Sequence, residues 1–168
     1  MITISVFINL TGFSQAYKFG DYMQFGRNEL SKGNFKEAIR YLNNAVSHRP
    51  ASYEGYFLRG IAKYNLGDYM GAEKDFSKAT RFDPYNSDIY HYRAIVRSRQ
   101  YNFGGALQDY SRAIELNPRN PLFYLNKARA YLFLHSYDSA IRYLNKTLDL
   151  KYRNEEVFVL RGMAYSGM

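Results

Sequence analysis

The stretch GDYMGAEKDFSKATRFDP, Gly67–Pro84, is rewritten thirty-four residues later as YNFGGALQDYSRAIELNP, Tyr101–Pro118. Gly71, Ala72, Asp75, Ser77, Ala79 and Pro84 return in register as Gly105, Ala106, Asp109, Ser111, Ala113 and Pro118. From Tyr69 to Phe82 apolar residues fall at helical spacing, and the same spacing holds from Tyr56 to Asn65. Gly67-Asp68 between those runs is a helix stop followed by an N-cap residue. Asp83-Pro84 ends the second run, because the residue before proline disfavours helical dihedrals. One copy therefore predicts two antiparallel helices joined by a tight turn.

The same step carries along the chain. Ala38, Ala72, Ala106 and Ala140 keep it, as do Pro50, Pro84 and Pro118, and Tyr22, Tyr56, Tyr90 and Tyr124. A small residue recurs at Gly26, Gly60, Ala94, Ala128 and Gly162. It stands where two helix backbones must approach to about 8–10 Å. A single hairpin cannot cover its own apolar faces, so hairpins stack. Helical pairs are expected at 19–31 with 35–48, 53–65 with 69–82, 87–99 with 103–116, and 121–133 with 137–150, followed by a lone helix at 155–166. Tyr101 and His135 replace the turn glycine, and Thr147 and Tyr152 replace the expected alanine and proline of the fourth pair.

This pattern resembles the tetratricopeptide repeat, from Phe19 to the C-terminus. The resemblance implies an all-α fold, a right-handed α-α superhelix. Its units would be 19–52, 53–86, 87–120 and 121–154, with the first helix of a fifth at 155–168, in a repeat domain spanning 17–168.

Composition narrows the function. The 168 residues contain no cysteine, which removes disulfides, thiolate metal sites and cysteine nucleophiles. No run of 18 apolar residues suggests a membrane span. His48, His91 and His135 are the only histidines, and no two are spaced to share a metal. HExxH and the phosphate-binding GxxxxGK are absent, and the Asn145-Lys146-Thr147 sequon falls within a predicted helix. The reading is a non-enzymatic protein without cofactor or metal. A net charge of +8 permits an acidic partner. The cations of the second helices are interleaved with Glu73 and Glu115, more like a solvated face than a nucleic-acid stripe. At the N-terminus, residues 1–16 combine an apolar run with the small residues Ser14 and Ala16, features of a secretory signal, although no Lys or Arg precedes the run. Export is favoured over a cytoplasmic location.

Two sets of residues stand out. The inner units carry Asp75 and Asp109 where the outer ones have Tyr41 and Tyr143, and Arg59 and Arg93 where the outer ones have Phe25 and Lys127. Arg59, Asp75, Arg93 and Asp109 are expected to form a structural charge ladder, since buried charges are normally paired. The second set follows from the resemblance, which places the first helix of each unit on a concave, peptide-binding face. That implies groove residues Arg27 in the first unit and Phe57, Ile61 and Tyr64 in the second. The third contributes His91, Tyr92, Ile95 and Arg99, and the fourth Leu125, Asn126, Arg129 and Leu132. Apolar positions with interspersed arginines suit an amphipathic or extended segment bearing acidic residues. The clamp that some such repeats close on a chaperone's C-terminal carboxylates is not expected, because Met23, Leu58 and Asp88 stand where it needs amides and cations. The alternative is a structural oligomerisation module of a larger envelope or secretion assembly. Val157, Phe158, Val159 and Leu160 make the last helix too apolar for a cap, so the expectation is a fragment of a longer array or, failing that, an end-to-end homodimer.

Overall fold

A computed structural model describes residues 17–168, so the predicted signal segment at 1–16 lies outside the described residues. Among the described residues there are helices and no strand. They run α1 Phe19–Ser31, α2 Phe35–His48, α3 Tyr53–Asn65, α4 Tyr69–Phe82, α5 Ser87–Arg99, α6 Phe103–Leu116, α7 Pro121–Phe133, α8 Tyr137–Asp149 and α9 Glu155–Ser166. Among the described residues no helix is long and apolar enough to cross a membrane.

The punctuation in the sequence sets these boundaries. Gly33 and Gly67 take left-handed φ values of 77° and 79°, which turn the chain between the helices of the first two pairs. Tyr101 and His135 hold the equivalent turns at 59° and 53°, a conformation that side chains resist. The Asp68 and Asn102 carboxylate and amide oxygens then accept from the backbone N–H of Gly71 (2.9 Å) and Gly105 (3.1 Å), capping α4 and α6. The fourth pair differs. Without a proline to stop it, α8 ends at Asp149 and turns through Lys151 at φ 65°, with Tyr152 N donating to Thr147 O at 3.3 Å. Thr147 occupies the alanine position fully buried by donating its hydroxyl to Tyr143 O at 3.0 Å.

The recurring small residues mark close approaches. A Cβ on Gly60 would lie 2.7 Å from the Phe76 ring, and one on Gly26 would lie 2.7 Å from Leu42. Ala38, Ala72, Ala106 and Ala140 are wholly buried on the facing helices. Each helix packs on its chain neighbours. Beyond that, each odd-numbered helix touches the next odd-numbered one, whereas no two even-numbered helices touch among the described residues. The odd helices therefore form the inner, concave row of a curved stack and the even helices the splayed outer row.

Candidate functional site

Between the two rows, Arg59 Nε and Nη2 donate to Asp75 Oδ2 and Oδ1 at 2.8 and 2.6 Å. Arg93 grips Asp109 in the same fork at 2.8 and 2.7 Å. Lys63 adds a second cation to Asp75 at 2.7 Å, and Arg97 bridges Asp109 (2.9 Å) and Glu73 (2.8 Å). Burial alone would raise the Glu73 carboxyl, but the hydrogen bonds from Arg97 and Gln100 outweigh it and hold the group below its ordinary range.

The same cations also reach back one unit. Arg59 donates to Asn43 (2.8 Å), Arg93 to Ser77 (3.3 Å), Lys127 to Ser111 (2.7 Å) and Arg161 to Asn145 (3.5 Å), each sixteen residues upstream. Each first helix lies between its own second helix and the preceding one, so one long cationic side chain ties both. Lys127 meets no carboxylate among the described residues and instead sits 4.6 Å above the Tyr143 ring. The ladder is thus a continuous seam rather than two isolated pairs. Outer-row cations likewise lie on framework rings, Lys78 over Tyr56 at 5.0 Å and Arg112 over Tyr90 at 6.0 Å, which gives part of the tyrosine excess a packing role.

On the concave row, the expected groove residues separate into three groups. Two are corrections. Leu125 is only 2% exposed, packed with Ala128, Leu144 and Val157, and cannot meet a ligand. His91 is also buried, its ring 4.7 Å from Phe123, in the seam between α5 and α7. Both occupy the fifth position of a first helix, which in the later units faces the neighbouring first helix. Burial lowers the His91 imidazole to a pKa of about 4, so it is neutral at pH 7. Its Nε2 accepts from Asn126 Nδ2 at 2.8 Å, and Arg129 Nη1 donates to Asn126 Oδ1 at 3.0 Å, which fixes the amide's orientation. Asn126 is thereby engaged within the fold.

The second group is half-buried. Phe57, Ile61, Tyr64 and Tyr92 pack on the cluster around Phe76 and Val96 while keeping an open edge, with Phe57 and Tyr92 edge to face at 5.4 Å. Leu132 is half-buried too.

The third group surrounds a cavity. Tyr64, Ile95, Arg99, Asn126 and Arg129 line a hollow of about 530 Å³ between α3, α5 and α7. Ser98, Ala130 and Phe133 of the first helices complete it together with Tyr69, Tyr101, Phe103 and Tyr110, four rings that were not among the expected groove residues. Phe103 and Phe133 stack at 5.6 Å, and Phe133 is 67% exposed. The sequence signal for this wall was Tyr101 standing at a turn glycine. Burial pushes the Tyr110 phenol up to about 12. Ion pairs close the two ends of the row, Arg27 with Glu54 and Arg129 with Glu156. Among the described residues no group of three His, Cys, Asp or Glu converges as metal ligands.

Tetratricopeptide repeat models match residues 23–87 and 122–154, and a TPR repeat model matches 102–134. No curated protein matches the sequence. Among solved structures, the MamA protein superposes with a TM-score of 0.83 at 23% identity, over 89% of this chain and 81% of that one. YrrB, described as a TPR protein with an unusual peptide-binding site, gives 0.76 at 19% identity, over 87% and 75%. The first TPR of Spaghetti, solved with the HSP90 peptide SRMEEVD, gives 0.68 at 22% identity, over 70% and 93%. At such identities the likeness is one of fold.

Proposed function

The chain belongs to the tetratricopeptide repeat family, and from that premise we propose that it is a protein-interaction scaffold which binds a peptide or protein segment along its odd-helix face. The observation that carries this reading is the concave cavity of about 530 Å³, walled by aromatic rings of which Tyr101 and Phe133 are exposed, and containing Arg99. Apolar walls with a few placed polar groups are what a recognition site needs. YrrB and the Spaghetti repeat, of the same fold, are described as binding peptides, which is in keeping with it.

The test is capture of partners by the tagged full chain from cells that express it naturally. Phe133→Ser and Tyr64→Ser should reduce the captured set by about tenfold or more, since central aromatic contacts commonly dominate such interfaces. Lys78→Ser on the outer row should leave it unchanged. Equal capture by all three variants contradicts the reading.

A second reading has its own observation. On α9, Phe158, Val159, Met163 and Tyr165 are each about half exposed, an apolar flank of the kind that marks contact surfaces. Under an oligomerisation role, Phe158→Ser with Tyr165→Ser dissolves assemblies and the groove variants do not. Leu160 is a poor probe for this, because it packs against the Leu144 and Val157 cluster.

A further inference from the structure

We propose that the cavity is an acidic-residue pocket: it receives a carboxylate side chain of an extended partner segment, with an apolar side chain adjacent to that carboxylate lying against the Phe103–Phe133 stack. This deepens the groove reading and rests on it.

Charge supplies the first argument. Of the arginines on the concave row, Arg27 and Arg129 are already matched by Glu54 and Glu156. Arg99 is exposed, lines the cavity and has no acidic partner among the described residues. Asp88, eleven residues earlier at the start of α5, has no cationic partner among them either. The helical rise separates the two by roughly 16 Å. The concave face is thus polarised across its width, acid on the edge where α5 begins and cation on the edge where it ends. A segment lying there meets a free guanidinium only at the turn edge, beside the cavity. A cationic side chain in the same place would be repelled by the unmatched charge of Arg99.

Two further observations point to the same hollow. Ser98 lines it beside the Tyr110 phenol, and its buried Oγ makes no well-formed hydrogen bond among the described residues. An incoming carboxylate oxygen would offer that hydroxyl an acceptor besides the phenol. Tyr101 forms the rim at φ 59°, where the first two units use glycine, and its ring lies 6.2 Å from Phe103. The repeat turn needs this left-handed conformation, as His135 shows in the next unit, and here it sets a large ring on the edge of the cavity. Arg99 and Ser98 therefore read the carboxylate, while Tyr101, Phe103 and Phe133 read the neighbouring apolar group.

The test uses short random peptides displayed on phage and selected on the full chain. The enriched pool should place Asp or Glu beside Phe, Leu, Ile or Met. Selection on Arg99→Glu should replace the acid by Lys or Arg. For the best wild-type peptide, fluorescence anisotropy should show Kd rising about tenfold with Arg99→Ala, and by a similar factor when the peptide acid becomes its amide. Combining the two changes should add little, because each removes the same contact. An enriched pool with no acidic preference, insensitive to Arg99→Ala but weakened by Phe133→Ser and Tyr64→Ser, overturns this pocket and leaves the groove reading intact. A pool insensitive to all three substitutions, or no enrichment at all, overturns both. Circular dichroism of Arg99→Ala, an exposed site, checks that the fold is kept.

Discussion

Replacing Asp109 with alanine is expected to cost about 3–5 kcal/mol, much of the stability of a domain this size. Asp109 is 4% exposed and accepts three hydrogen bonds from two arginines, Arg93 and Arg97. Without it, Arg97 keeps Glu73, but Arg93 is left half inside the protein with only the Ser77 and Thr80 hydroxyls. The loss is that of an uncompensated buried charge, not the net worth of the pair. The double variant Arg93→Met with Asp109→Leu, which removes both charges, should therefore recover most of it. Urea denaturation followed by circular dichroism measures both. A loss below about 1 kcal/mol for the single variant, or no recovery in the double, would show that the seam is a surface ornament.

Acidification should destabilise the fold through His91. Its folded pKa of about 4 lies below the ordinary 6.5, so between those values the unfolded chain binds the proton that the folded chain refuses. The contribution is fully present above pH 6.5 and is lost as pH falls towards 4, up to about 3 kcal/mol. The groups packed around the ring are Tyr92, Tyr110, Phe123 and the Asn126 amide, none of which compensates a positive charge. Protonation would also set a donor at Nε2 against the Asn126 Nδ2 donor, whose amide Arg129 holds in place. An NMR titration should place the His91 midpoint near pH 4, and His91→Phe should flatten the melting-temperature profile between pH 6.5 and 4. A midpoint near 6.5 contradicts the burial of this ring.

Much of the fold was legible because its punctuation is local. Gly67-Asp68 and Asp83-Pro84 act on their own dihedrals and caps, whatever surrounds them. The partners Arg59–Asp75 and Arg93–Asp109 could be named because their exchange for Phe25, Tyr41, Lys127 and Tyr143 is in phase with the repeat. The reach back to Asn43, Ser77, Ser111 and Asn145 was not, since those residues carry no charge and differ in kind, amides in the outer units and hydroxyls in the inner ones. Leu125 and His91 were misplaced for a related reason. Helical periodicity says which face a residue is on, but not how closely two successive first helices approach there. One ring of the cavity wall, Tyr101, hid in a turn position, where it reads as a departure from pattern before it reads as a surface. The end of α8 at Lys151 depends on a proline that is missing, so nothing local announced it.

The central claim is that recognition belongs to the odd-helix row. A photoreactive amino acid placed singly at Tyr64, Ile95 or Lys78 tests it most directly, with cells expressing the chain irradiated and adducts resolved by mass. The account predicts partner adducts from Tyr64 and Ile95 and none from Lys78. Adducts from Lys78 alone would place the partner on the outer row and contradict it.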